Sequence, residues 1–252
     1  MSILRKQKPR KSSSIVFFHG LGGCKDHFDN SHKYFSGIRN LSFDLIGFGK
    51  NRSKLNINKP ILPQQIKFIQ TKISKLKTIK IILVFHSLST ILIPHLLKYK
   101  NISKKISHII LIEGDIIDKN LQWSKKLSEM NKSSFKQYIN KFKKNSSFII
   151  KAQLVKKNNY KKKYSKCFAD FNVPILRKFC QESIEIIKKN YVLNFLKKRK
   201  TKKLLIISSS NKNLYTKTIR SIFNKTIIIK NSGHYPMIDD PKSTYQAIER
   251  FI

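Results

Sequence analysis

A chain of 252 residues can bury the core of one α/β domain with room for an insertion, and needs no staple to do so. Lys+Arg number 53 against 13 Asp+Glu, a formal charge of +40 that would suit nucleic acid, anionic membrane or acidic protein partners. The lysines are spread along most of the chain, however, and no zinc finger or aromatic-basic RNA-binding pattern accompanies them, which disfavours nucleic acid as a partner.

Cys24, Cys167 and Cys180 are odd in number and far apart, so they predict neither a disulfide framework nor a CxxC metal site, and they fit a reducing cytoplasm. No apolar run reaches the length of a signal-peptide core or a membrane span.

Residues 1–14 read as a polar, basic arm. Ile15 to Phe18 is then a compact apolar strand running into His19-Gly20-Leu21-Gly22-Gly23, where glycines let the backbone turn and present N–H groups to a ligand. Leu41 to Asp44 is a second short strand, followed by DLIGFGKNRS with Gly47 and Gly49. Pro63 to Thr78 has helical spacing at Ile66, Ile69, Ile73 and Leu76.

Ile81 to Val84 is a β-branched run typical of a central parallel strand, and from Leu88 the apolar positions recur at helical spacing. Ser87 therefore falls at a strand-to-helix turn, where a nucleophile elbow exposes a serine hydroxyl beside the N–H of the next residue. The alternative on this stretch alone is a serine that merely caps a helix.

Ser107 to Glu113 is a further buried strand closed by Gly114. From Asp115 to about Lys200 helical patterns replace strand signals, in LQWSKKLSEM, SSFKQYINKFKK and PILRKFCQESIEIIKK, as expected of a helical cap over 115–200. The α/β rhythm resumes with Leu204 to Ile207, a helix near Leu214 to Phe223, a strand at Thr226 to Ile229, the loop NSGHYPMIDDP and a last helix to Ile252. Alternating strands and helices argue for a mostly parallel sheet, with the core at 15–114 and 201–252.

With His19-Gly20, Asp44 to Gly49, Ser87 and Gly233-His234 in that order, the chain resembles the α/β-hydrolase superfamily from about residue 15 to the end. IEGD at Ile112 to Asp115, followed by the Ser-basic helix QWSKKLSEM, is similar to a subgroup with Glu-Gly-Asn, with Asp115 in place of the Asn. The resemblance implies a sheet of about six strands, since little chain precedes Ile15, and a serine hydrolase needing no cofactor. Ser87 would be the nucleophile, His234 the base, and the backbone N–H groups of Leu21 and Leu88 the oxyanion donors.

The acid is open in the pattern. The loop after LLII usually carries it, but here reads SSSNKN, with Asn211 and Asn213, and asparagine cannot stabilise an imidazolium. Glu113 at the end of the preceding strand is the expected acid, with Asp115 second and Asn211 as an alternative orienter. Phe85 stands where a small residue is usual before an elbow, and Pro94 interrupts the helix after it.

His19 is expected to hold the turn, and His86 to shape the pocket or pack under the helix. His27, His32, His95 and His108 lack HExxH-type spacing, so no metal site is expected.

The expected substrate is a carboxylic ester, thioester or related acyl compound. If YKKKY at 160–164 and LKKRKTKK at 196–203 face the entrance, an acyl carrier protein or acyl-CoA would be attracted. The competing expectations are a degenerate binding protein on the same scaffold, which Phe85 favours, and more remotely a basic nucleic-acid binder, which the charge favours.

Overall fold

The computed structural model describes residues 12–51, 53 and 55–252. Most of the expected N-terminal arm lies outside them. Ser13 and Ser14, assigned to that arm, instead begin the first strand.

Among the described residues one parallel sheet has six strands: β1 (Ser13–Phe18), β2 (Arg39–Ser42), β3 (Lys80–His86), β4 (Ile106–Ile112), β5 (Lys202–Ser208) and β6 (Lys225–Ile229). Their spatial order is β2-β1-β3-β4-β5-β6, and the register pairs Phe18 with Phe85, His86 with Ile112 and Ile112 with Ile206. Every carboxyl end therefore opens on the same rim. Strands β3, β4 and β5 are buried on both faces, which is why their sequences are near-continuous apolar runs rather than alternating ones.

β2 is an edge strand of mixed exposure and ends two residues earlier than its apolar pattern suggests. Phe43 and Asp44 leave it because the Asp44 carboxylate accepts the backbone N–H groups of Lys25 (2.7 Å) and Lys50 (2.9 Å), binding two loops together.

The first long helix, Ile61–Ser74, starts before the expected Pro63, which occupies its first turn, where a missing N–H does no harm. Its free N–H groups at Ile61 and Leu62 are taken by the Glu182 carboxylate at 2.6 and 2.9 Å, a charge placed favourably at a helix N-terminus. The helix expected over 214–223 is shorter, a 3₁₀ turn at Lys212–Leu214 followed by one α-turn at Lys217–Arg220 that Thr216 caps.

At the end of β3 the chain turns sharply. Ser87 has φ of 52°, and a 3₁₀ segment, Ser87–Ile91, leads into the short helix Leu92–Leu96. Pro94 falls within the first turn of that helix and so removes none of its internal hydrogen bonds. Phe85 is accommodated by stacking: its ring lies 4.6 Å from that of Phe18, nearly parallel to it at 8°. Ser89 is small, and its hydroxyl donates to the carbonyls of His86 (2.8 Å) and Phe18 (3.1 Å), pinning the turn to both strands.

Between β4 and β5 lie six α-helices among the described residues: Gln122–Glu129, Lys132–Lys144, Ser146–Ala152, Lys162–Ala169, Val173–Lys188 and Tyr191–Lys198. The cysteines correct the sequence expectation. Cys24, after the glycine loop, and Cys167, in the helix Lys162–Ala169, form a disulfide across 143 residues with Cα atoms 5.5 Å apart, while Cys180 is free and buried. Odd count and long spacing hid the pair, because only folding brings this helix onto the loop. No helix among the described residues is long and apolar enough to cross a membrane.

Removing the Phe85 ring would leave a cavity against Phe18 beneath the turn. Phe85→Ala should lower stability by about 3–5 kcal/mol in urea unfolding, the usual cost of deleting a buried phenyl ring. A loss below 1 kcal/mol would mean the turn does not depend on this stack.

Candidate active site

The carboxyl ends of the strands and the inserted helices enclose a cavity of about 420 Å³. Ser87, His234, Asp115 and Asn211 line it, as does Leu21, whose backbone lies in the loop beside the turn. Gly20 has to be glycine: a Cβ there would sit 2.9 Å from Ser87 Cβ and 3.0 Å from His86 Nδ1.

His19 has the structural part expected of it. Its Nδ1–H donates to the Gly20 carbonyl at 2.8 Å and Nε2 accepts the Leu45 N–H at 3.0 Å, tying the glycine loop to the segment after β2. His86 Nε2–H donates to the His234 carbonyl at 2.9 Å, and its ring clusters with those of His234 (4.9 Å) and Tyr235 (5.1 Å). Burial keeps this imidazole neutral, well below the usual range, and the neighbouring His234 pushes the same way.

Glu113 is the acid the structure brings to His234. It has φ of 50° at the end of β4, a left-handed conformation unusual for this residue type. Its carboxylate accepts hydrogen bonds from the Ser208 N–H and from Asn211 Nδ2, and Oε2 lies 3.5 Å from His234 Nδ1. Asn211 thus touches the carboxylate and not the imidazole. Burial alone would lower the His234 pKa, but the hydrogen bond and charge of Glu113, with the Asp115 charge, outweigh it and leave it raised.

Asp115 lies on the serine instead. Its Oδ2 accepts the Ser87 hydroxyl at 3.2 Å, its N–H donates to the Ser87 carbonyl at 3.2 Å, and its carbonyl accepts the Thr90 hydroxyl at 2.6 Å. Burial pushes its carboxyl up to about 7, against the opposing effects of the His234 charge and the Ser87 hydrogen bond.

The sequence gives no signal for Asp239. This fully buried carboxylate accepts the Gly233 N–H at 2.7 Å and the Lys156 N–H at 2.8 Å, fixing the His234 loop to the inserted helices. Gly233 permits that approach, since a Cβ would lie 2.2 Å from the Gln153 carbonyl oxygen. The outer wall is aromatic, with Trp123, Tyr138, Phe142 and Phe168. These could not be chosen in advance from lysine-rich helices.

The two basic runs do not share the entrance as expected. Lys202 opens β5 at the rim opposite Ser208 and the cavity, so 196–203 sits roughly 20 Å away at 3.3 Å per strand residue. In 160–164, Lys161 and Lys163 pair with Asp29, and no residue of the segment lines the cavity.

A family model of the alpha/beta hydrolase fold matches residues 14–241. Among solved structures, the Cif epoxide hydrolase from Acinetobacter nosocomialis superposes with a TM-score of 0.76 at 17% identity, covering 96% of this chain and 82% of that one. An esterase from Exiguobacterium antarcticum gives 0.69 at 13% identity, with 95% and 91% covered. A carboxylesterase structure from the thaumarchaeon Nitrososphaera gargenis gives 0.71 at 16% identity, with 97% and 91% covered. At such identities the likeness speaks to the fold. No functionally curated protein matches the sequence.

The Asp115 carboxyl makes a pH-dependent contribution to stability. A carboxyl raised from 3.8 to about 7 on folding destabilises the fold progressively as pH climbs between those values, and fully above them. The difference amounts to about 4 kcal/mol at most. Asp115→Asn should therefore raise the thermal midpoint at pH 8, with the gain shrinking steadily toward pH 4. A gain independent of pH would refute the buried, raised carboxyl.

Proposed function

The chain belongs to the α/β-hydrolase fold family, and on that premise we propose that it is a serine hydrolase cleaving a carboxylic ester, thioester or related acyl substrate. The observation that carries this reading is the left-handed Ser87 at the end of β3, in one cavity with a His234 ring whose Nδ1 faces a buried carboxylate. A serine at the turn also selects among chemistries. Attack on an acyl carbon gives an ester that water can hydrolyse, whereas attack on an epoxide would give an ether with no carbonyl to reopen.

In this mechanism the Ser87 hydroxyl leaves Asp115 Oδ2 and donates to His234 Nε2, which takes the proton as Oγ adds to the carbonyl carbon. Glu113 holds the ring by Nδ1–H and stabilises the imidazolium, while Asn211 holds Glu113. The N–H groups of Leu21 and Leu88 receive the oxyanion, at about 3 kcal/mol each by comparison with measured donors. His234 then protonates the leaving group, and water repeats the sequence on the acyl-enzyme. The inserted helices act as a cap that forms the acyl pocket through Trp123, Tyr138 and Phe142. No metal or cofactor takes part in any step.

A finer reading is an acyl group carried on an anionic carrier, supported by Lys119 at the cavity. Turnover of an acyl-CoA should then fall steeply as salt rises, while that of a small neutral ester changes little. Equal sensitivity of the two would discard the carrier.

A second reading, a binding protein on the same scaffold, is favoured by the hydrogen bond that holds Ser87 on Asp115 rather than on His234. Fluorophosphonate labelling separates the two. The serine hydrolase gives one adduct by intact mass, absent from Ser87→Ala; a folded chain that takes up no probe supports the binding protein.

The roles around the imidazole have their own test. Glu113→Gln should lower kcat by about 10³–10⁴-fold with the fold retained by circular dichroism, in line with loss of the acid from such a triad. Asn211→Ala should lower it less. Since His234 must be neutral to act and its pKa is raised, activity should decline as pH falls through a midpoint above 6.5, and Asp115→Asn should move that midpoint lower. A larger loss in Asn211→Ala than in Glu113→Gln would return the orienting role to the loop after β5.

A further inference from the structure

We infer that Cys24, His27 and Cys167 form a binding site for a thiophilic metal ion, Zn²⁺ being the one proposed, when the Cys24–Cys167 pair is reduced. One potential ligand atom from each residue lies within 4.8 Å of the others, and all three side chains are buried. The two thiolates and one imidazole match the donor set of three-ligand zinc sites, in which a fourth tetrahedral position stays open.

The histidine supplies the independent observation. His27 is 1% exposed, and its ring is packed among Phe168, Tyr235 and Tyr164 with centroids 5.2 to 6.1 Å away. Nε2 lies 3.4 Å from the Tyr164 carbonyl, so that nitrogen carries the proton and donates. Nδ1 then holds a lone pair, is buried, and has no hydrogen-bond partner. It is aimed at the loop that bears Cys24: a Cβ placed on Gly23 would lie 3.1 Å from Nδ1.

A buried imidazole with one edge fixed by a backbone carbonyl and the other edge unpaired has the arrangement by which proteins orient metal-binding histidines. An unpaired buried nitrogen is otherwise a cost without return. The ion would enter from the cavity, which His27 lines.

The chemistry balances. A dithiol reductant gives two electrons and two protons to the disulfide and is itself oxidised to a disulfide, leaving Cys24 and Cys167 as thiols. Zn²⁺ then replaces the two thiol protons, which go to solvent, and takes the lone pair of neutral His27 Nδ1. The sulfurs must separate to roughly 3.7 Å for tetrahedral coordination with 2.3 Å Zn–S bonds. Thiol pools of a reducing compartment would favour this form, and an oxidising one the disulfide. Either state bridges the loop after Gly20-Leu21 to the helix Lys162–Ala169.

The full chain, reduced without oxygen and freed of metal, is titrated with Co²⁺ and then with Zn²⁺ against a chromophoric chelator. One equivalent of Co²⁺ should bind with thiolate-to-cobalt charge transfer and a tetrahedral ligand-field band, both lost on adding Zn²⁺. The oxidised chain should show neither. Cys180→Ser should bind as the unsubstituted chain does, whereas Cys167→Ser and His27→Gln should bind at least about 100-fold more weakly, the upper end of the loss seen when even a supporting partner is removed.

Should either weakened variant fail to fold, alkylation of the unsubstituted reduced chain reads the same site. Zn²⁺ should protect Cys24 and Cys167 together, as mapped by peptide mass. Absence of the charge-transfer band in the reduced chain, unchanged affinity in a folded His27→Gln, or alkylation of the two cysteines indifferent to Zn²⁺ would overturn the inference.

Discussion

The Glu113 carboxylate joins three parts of the chain that have no local reason to meet. It sits at the end of β4, takes the backbone N–H that follows Ile207 in β5 and the side chain of Asn211 beyond it, and faces the imidazole of His234 after β6. A buried carboxylate is tolerable only when its lone pairs are engaged, and here three groups engage them. The left-handed backbone at Glu113 is the strain accepted for that position, and its counterpart on the neighbouring strand is the left-handed Ser87. The two turns lie side by side because His86 pairs in register with Ile112.

The chain has only 13 acids against 53 Lys+Arg, and several of them bind backbone rather than lysine. Asp44, Glu113, Glu182, Asp239 and Asp240 all accept backbone N–H groups, closing loops or capping helices. Such bonds carry charge on the acceptor and are stronger than those between neutral groups. Surface pairs such as Lys125 with Asp118 contribute little by comparison. The excess lysines are mostly a solvated surface, and several hold their ammonium groups over aromatic rings, as Lys143 does on Phe171 and Lys126 on Tyr138.

The cavity wall shows the same division between frame and insertion. Its floor is made by strand ends and short turns held by buried hydrogen bonds, among them those of His19, Ser89 and Thr90. Its outer side comes from helices tied to the frame by the Cys24–Cys167 bridge, by Asp29 with Lys163 and Tyr164, by Asp239 with Lys156 and by Glu182 with the N–H groups of Ile61 and Leu62.

Apolar runs long enough to be buried on both faces marked β1, β3, β4 and β5, and the change from strand to helical spacing at Ser87 marked the turn, because periodicity and turn chemistry are written into neighbouring residues. The order of the glycine loop, Ser87 and His234 along the chain was legible for the same reason. What tertiary structure alone decided are the meetings of residues far apart in sequence. It placed Glu113 rather than Asp115 against His234, and Asn211 on Glu113 rather than on the ring, because register between β4 and β5 and the left-handed turn at Glu113 set which way each carboxylate points. It brought Cys167 to Cys24 and His27, and Lys156 to Asp239, through helix packing that no local pattern records. The stack of Phe18 on Phe85 belongs to both: each phenylalanine is visible in the sequence, but only the parallel pairing of β1 with β3 sets the rings face to face.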